Sequence, residues 1–301
     1  MNQVLFGDCR DSMRKLIADG VKVQTCITSP PYYGLRDYGH EGQIGLEEKP
    51  SEYVGKLVEV FSLVWDLLVD DGVMWVNLGD SYGGDRGNVS HAPDNKHKHN
   101  AADTPGKSKS GTLRKQLLGI PWRVAFALQD AGWYLRQDII WSKPNAMPES
   151  VTDRCTKSHE YVFLLAKQER YYFDNEAIKE KANPDSSIRD RDATRLNNTP
   201  GRTKMGGLKK NDYEMRNKRS VWTVPTKPYS GAHFAVFPPA LIEPMVLAST
   251  RAGDIVLDPF LGSGTTAQVA QDLGRNWIGC ELNPDYAQLQ QQRTAQQALC
   301  L

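Results

Sequence analysis

The chain has 301 residues, 40% of them apolar and 24% charged, with a net charge of +1. That length holds one large α/β domain with an insertion or two smaller domains; no apolar run approaches the roughly 20 residues of a membrane span, and residues 1–10 carry no secretory apolar segment. Five scattered cysteines (Cys9, Cys26, Cys155, Cys280, Cys300) form no C-x-x-C pair, which argues against a metal centre or disulfide framework and suits a reducing cytosol.

Residues 3–8, Gln-Val-Leu-Phe-Gly-Asp, predict a short strand ending at Gly7-Asp8. Asp11 is placed to cap a helix over Ser12–Ala18. Val21–Ile27 then alternates apolar and β-branched residues as a buried strand does. Strand, helix, strand opens a parallel unit and sets Asp8 and Ser29 at the same sheet edge. The second strand stops in Thr28-Ser29-Pro30-Pro31-Tyr32. Two prolines lack an N–H and fix φ, so the backbone turns a rigid corner, at the strand end where open α/β sheets place ligands. Ser29 before the prolines and Tyr32 after them offer acceptor oxygens and a stacking face to a flat molecule bearing an amine. An ordinary strand-ending turn would use the same residues.

A glycine- and tyrosine-rich loop, Tyr33–His40, leads to a helix over Ser51–Asp70 with Tyr53, Leu57, Val60, Phe61, Val64, Leu67 and Leu68 at helical spacing. Asp71-Gly72 turns the chain into a buried strand, Val73–Leu78, ending at Gly79-Asp80. The polar loop 80–111 is almost without aliphatics and rich in His and Lys (His91, Lys96, His97, Lys98, His99, Lys107, Lys109); a loop of this length reads as a functional lid or as disordered, and its composition as a solvated or phosphate-facing tract. Its histidines have no cysteine or carboxylate support for a metal. A helix over Leu113–Ala131, irregular near Gly119-Ile120-Pro121, comes next. Strands are expected at Trp133–Trp141 and Ser158–Lys167, the latter in a hairpin with Tyr171–Phe173. His159-Glu160 lacks the second histidine of a zincin helix and reads as structural.

Residues 181–220 change character, with eleven basic side chains against five acids and few aliphatics. Such a stretch cannot bury its own core, and its charge suits a polyanion better than bare solvent. After Val221–Pro225, a helix is expected from Pro239 to Thr250, bent or begun at Pro244. A strand ending at Asp258, a turn Gly262-Ser263-Gly264, a helix Thr265–Leu273, a strand Trp277–Glu281 and a closing helix Asp285–Ala298 complete the chain.

The glycines of that turn let backbone approach a ligand at a helix N-terminus. Gly262-x-Gly264-x-x-Ala267 fits the dinucleotide pattern, with Glu281 at the next strand end to take ribose hydroxyls. Any adenosine cofactor would satisfy it. A nicotinamide oxidoreductase would carry this unit early and follow it with further strand–helix units, whereas here only one helix remains. Strands from the N-terminal half, ending at Asp8 and Ser29, must therefore complete the site.

Together these stretches resemble the S-adenosylmethionine-dependent DNA amino-methyltransferases. Ser29-Pro30-Pro31-Tyr32 is similar to their catalytic motif, and Asp258-Pro259-Phe260-Leu261-Gly262-Ser263-Gly264-Thr265-Thr266 to their cofactor motif. Catalytic motif first and cofactor motif last is the order of the β group. Further matches are Gly7-Asp8, Val76–Asp80, Ile140–Lys143, His159–Tyr161 and His233–Pro238. The resemblance implies an α/β, doubly wound, mostly parallel sheet of the Rossmann-like methyltransferase type, circularly permuted, with an inserted target-recognition region. The expected division is a catalytic half over 1–166, the insertion over 167–220 and the cofactor half over 221–301.

The resemblance also implies roles. Phe260, Gly262, Gly264, Thr265 and Thr266 would face the cofactor with Thr28 and Asp258, Glu281 would hold its ribose, and Asp8 its adenine amine. His233 and Phe237 would close over the methionine end. Ser29, Pro30, Pro31 and Tyr32 would act on the base, and Arg202, Lys204, Lys209, Lys210, Arg216, Lys218 and Arg219 would meet DNA. The implied partner is double-stranded DNA in the cytoplasm of a bacterium or phage-infected host, with no metal and no membrane; a homodimer and a cognate restriction endonuclease are compatible with it.

An aromatic exocyclic amine is a poor nucleophile because its lone pair is delocalised. Ser29 and the Pro30 carbonyl would accept its two N–H bonds and localise that pair toward the methyl, so that catalysis is largely positioning and electrostatics. Tyr32 would stack on a base that must first leave the duplex. Methylation at cytosine carbon 5 needs a cysteine after a proline, and none of the five follows one. Serine at the first motif position resembles the cytosine-N4 enzymes; the alternative is adenine N6, where Asp or Asn is typical.

Overall fold

The computed structural model describes residues 2–84, 111–182, 214–226 and 237–295. Strand β1 (Gln3–Phe6), helix α1 (Cys9–Ala18), β2 (Val23–Thr28), α2 (Pro50–Leu67) and β3 (Leu68–Leu78) run in alternation. They are followed by α3 (Ile120–Asp130), β4 (Tyr134–Ser142) and β5 (His159–Ala166), and then by β6 (Glu180–Lys181), β7 (Met215–Arg216) and β8 (Val221–Thr223). The last segment holds α4 (Pro239–Ser249), β9 (Ile255–Asp258), α5 (Thr265–Asp272), β10 (Asn276–Glu281), a 3-10 turn (Pro284–Tyr286) and α6 (Ala287–Thr294).

Eight strands form one sheet in the order β1-β10-β9-β2-β3-β5-β4-β8, with β6 and β7 as a separate small pair. All neighbouring pairs in the large sheet are parallel except the two that involve β5. Full burial along β2 is what a central parallel strand covered on both faces requires. One face is covered by α1, α2 and α3 through Met13, Leu57, Phe61, Val64 and Val124. The other is covered by α4 and α5 through Leu241, Met245, Val246, Val269 and Ala270.

The topology also fixes where a ligand can enter. From β9 the chain crosses to β10 on one side; from β2 it crosses to β3 on the other. Adjacent strands whose connections leave in opposite directions open a crevice at their carboxyl ends. Ser29 follows β2 and Pro259 follows β9 at that crevice. Because β5 runs antiparallel, its beginning lies at the same edge: Tyr161 pairs with Leu78 and His159 with Ser142.

Several elements differ from expectation. Helix α1 starts at Cys9, and its cap is Asp8, which accepts from the Arg10 N–H; Asp11 instead lies within the first turn. Helix α2 ends at Leu67 and passes directly into β3 at Leu68, because pairing of Leu68 with Val23 extends the strand past the expected turn. The helix expected over Leu113–Ala131 is confined to Ile120–Asp130. Gly119 takes the left-handed conformation at φ 67°, Pro121 belongs to the first turn, and Leu117 bridges to Tyr82. Tyr171–Phe173 forms no strand; the Tyr172 N–H donates to the Asp71 carbonyl, and Tyr171 and Phe173 pack on the sheet face instead. The final segment is broken into a 3-10 turn and a helix ending at Thr294.

Candidate active site

The proline corner is held from behind. The Tyr53 hydroxyl donates to the Pro31 carbonyl at 2.9 Å, and the Ser81 hydroxyl donates to the Tyr33 carbonyl at 2.8 Å. Tyr32 lies against Gly79, where a Cβ would come within 2.5 Å of its ring, so only glycine admits that ring position. The Tyr32 hydroxyl donates to Glu160 Oε2 at 2.6 Å. Asn77 Nδ2 donates to the same carboxylate at 2.9 Å, to the Tyr32 oxygen at 2.8 Å and, longest of the three, to Ser29 Oγ at 3.4 Å. Lys143 Nζ donates to the other carboxylate oxygen, Oε1. Burial and the Glu160 charge push the Tyr32 phenol well above its usual range, so it remains a donor.

The glycine turn is held by acids at two strand ends. Gly262 and Gly264 stand at φ 53° and 90°, the left-handed region that favours glycine. Glu281 accepts from the Gly262 N–H at 2.7 Å and from the Asn283 N–H at 2.8 Å. The Gln290 amide of α6 donates to the Gly262 carbonyl at 2.7 Å. Asp258, 1% exposed, accepts from the Thr28 and Thr266 hydroxyls, both at 2.7 Å, and from the Phe260 N–H at 3.0 Å. The Thr28 bond ties the two motifs directly across 230 positions of sequence. Burial raises the Asp258 carboxyl to about 6 and also raises that of Glu281.

A single cavity of about 670 Å³ joins the two stretches, within the size range of small-molecule sites. Asp8, Ser29, Pro30, Pro31, Tyr32, Phe237, Phe260, Gly262, Thr265 and Glu281 line it; Thr28, Asp258, Gly264 and Thr266 do not. Asp8 reaches the wall while its carboxylate caps α1 and pairs with Arg10, which holds its pKa below the usual value. His233, Arg202, Lys204, Lys209 and Lys210 lie outside the described residues. Arg216 and Arg219 both pair with Glu180, and Lys218 lies over the Trp222 ring at 5.1 Å. Among the described residues no cluster of side chains is arranged to hold a metal.

Sequence reasoning gave no role to Asn77, Lys143 or Trp141, and read Glu160 as structural; all four line the cavity. Their signal was positional. Each stands at or near a strand end, but only the antiparallel placement of β5 brings Glu160 and Lys143 to the β2 corner. The loop after the corner contributes Leu35, Arg36, Tyr38 and Ile44 to the wall as well.

The cavity offers acceptor oxygens and an aromatic ring at one end, and at the other a glycine turn with an acid facing it. Residues 23–292 match a family model described as DNA methylase, of the N6 and N4 methyltransferases. The chain is 47% identical over 284 residues to the type II methyltransferase M.Cfr9I of Citrobacter freundii, covering 94% of this chain and 84% of that protein. Among solved structures, the fold is similar to the cytosine-N4-specific PvuII DNA methyltransferase at TM-score 0.64 and 18% identity, over 99% of this chain and 88% of that one. It is also similar to the M1.HpyAVI–SAM complex at TM-score 0.58 and 19% identity, over 97% and 100%. The chain belongs to the N6/N4 DNA methylase family.

Proposed function

We propose that this DNA methylase transfers a methyl group from S-adenosylmethionine to the exocyclic N4 amine of a cytosine flipped out of duplex DNA. The observation that carries the reading is the one cavity that joins the Ser29-Pro30-Pro31-Tyr32 corner to the glycine turn. S-adenosylmethionine, when bound, supplies a methyl group on a sulfonium centre. The residues present fit it. Each Glu281 oxygen accepts one backbone N–H and keeps lone-pair capacity for ribose hydroxyls. The Gly262 turn at the start of α5 brings backbone close to the ligand, and Phe260 and Phe237 provide apolar wall.

At the other end, Ser29 Oγ accepts a long hydrogen bond from Asn77 and keeps lone-pair capacity to accept from the target amine. The Pro30 carbonyl accepts the second N–H. Drawing on both hydrogens localises the nitrogen lone pair toward the methyl, and the fixed corner supplies the alignment that in-line displacement needs. Tyr32 offers its ring to the base while Glu160 and Asn77 hold its hydroxyl.

The chain order, catalytic corner before cofactor turn, is read as circular permutation of the methyltransferase sheet. Residues 167–220 are assigned to target recognition, with Arg216, Lys218 and Arg219 meeting phosphates. The test is direct. DNA methylated by the protein is digested to nucleosides; N4-methylcytosine is expected, and N6-methyladenine as the sole product would overturn the target assignment.

A further inference from the structure

Resting on the cytosine-N4 reading, we propose that Lys143 identifies the flipped base by donating a hydrogen bond to the 2-carbonyl oxygen of cytosine while Ser29 accepts from its N4 amine. Lys143 lines the same cavity as Ser29. Its ammonium has three donors; one goes to Glu160 Oε1, and the group lies 4.2 Å from the centre of the Trp141 ring. Among the described residues the remaining donors take no hydrogen-bond partner, and they can serve a ligand in the cavity.

The position of Lys143 is set in advance. Its backbone N–H donates to the Ser158 carbonyl at 2.8 Å. Two residues on, the Asn145 side chain exchanges two 2.8 Å hydrogen bonds with the Thr226 backbone. The Trp141 indole is fixed by donating to the Val224 carbonyl at 2.8 Å. Glu160, the counter-charge, is in turn fixed by Tyr32 and Asn77. A hydrogen-bonded chain through the Asn77 amide nitrogen and the Glu160 carboxylate links Ser29, the acceptor, to Lys143, the donor. An acceptor and a charged donor on one wall match the amine and carbonyl on one edge of cytosine. Adenine carries an amine and a neighbouring ring nitrogen but presents C–H where cytosine has its 2-oxygen. A largely buried ammonium facing that C–H would lose its water without gaining a partner.

Once the modified position has been located in host DNA, a duplex of that sequence is prepared in two forms. One carries cytosine; the other carries a base that keeps the amine and adjacent ring nitrogen but has hydrogen in place of the 2-oxygen. The wild-type protein should methylate the second about 10- to 100-fold more slowly, the range of a hydrogen bond to a charged group. Lys143→Met should lose a similar factor on cytosine, retain its affinity for S-adenosylmethionine, and be indifferent to the missing oxygen. Losses that multiply, or a wild-type protein that methylates both duplexes equally fast, would overturn the proposal; the wild-type comparison decides even if Lys143→Met does not fold. Recovery of N6-methyladenine from the host DNA would instead sink the underlying cytosine reading, a result separable from any behaviour of Lys143.

Discussion

The two ends of the cavity are built in different ways. At the glycine turn, backbone does the work: Gly262 and Gly264 set the path, Glu281 and Gln290 hold the Gly262 N–H and carbonyl from 19 and 28 positions away, and Asp258 holds the Phe260 N–H two positions on. At the proline corner, side chains converge from four separate strand ends: Asn77 reaches Ser29 across 48 positions, Glu160 reaches Tyr32 across 128, and Lys143 reaches Glu160 across 17. On the proposed assignment, the cofactor shared by every methyl transfer meets main-chain geometry, which few substitutions can alter. The base meets a side-chain network, in which single substitutions change the chemistry.

If that division is right, defects at the two ends should separate into turnover and affinity. Ser29→Ala removes an acceptor needed at the moment of transfer and should lower kcat by about 10²- to 10³-fold, the scale seen when one positioned transition-state partner is removed. Affinity for S-adenosylmethionine, measured by calorimetry on the same preparation, should stay within about twofold. An equal loss of cofactor affinity would erase the distinction between the two ends.

Asp258 tests how firmly the cofactor end is tied to β2. Its folded-state pKa is raised to about 6 from 3.8, so the folded protein holds this proton more tightly than the unfolded chain does. The contribution of this group to stability is therefore greatest below about pH 4 and declines as the pH rises through 6. At 1.36 kcal/mol per unit the span is on the order of 3 kcal/mol. Denaturation of the wild type and Asp258→Asn at several pH values should give a stability difference that shifts toward the wild type in acid by that amount. A difference independent of pH would show that the carboxyl keeps its unfolded-state pKa on burial.

Glu281→Gln keeps the side-chain size but replaces the carboxylate that receives two N–H groups. It should weaken S-adenosylmethionine binding by about 10-fold, with kcat at saturating cofactor changed much less. A loss confined to kcat would move Glu281 to the other end of the comparison. The smallest effect is expected at the insertion. Lys218→Ala should weaken DNA binding a few-fold and reduce the salt slope by about one unit, while cofactor binding stays unchanged. An unaltered salt slope would remove that side chain from the phosphate contacts.

Much of the fold around the glycine turn was legible in the sequence, because its strand, turn, helix and second strand are contiguous and each step has a local signature. The proline corner was legible for a similar reason, since two prolines after a buried strand dictate a turn whatever surrounds them. Helix ends were less so. Gly119 stops the expected helix from extending back to Leu113 through its own backbone, whereas the end of α2 was moved by the pairing of Leu68 with Val23, a contact no local pattern announces.

The sequence by itself determined the two motifs, their order and the chemistry their residue types can perform, since these follow from local covalent constraints and side-chain functional groups. Only the tertiary structure decided which residues complete the base end. Strand β5 enters the sheet antiparallel between β3 and β4, which carries Glu160 beside Tyr32 and next to Lys143. That pairing depends on register between strands far apart in the chain, and hydrophobic alternation within one strand specifies a face but not a neighbour.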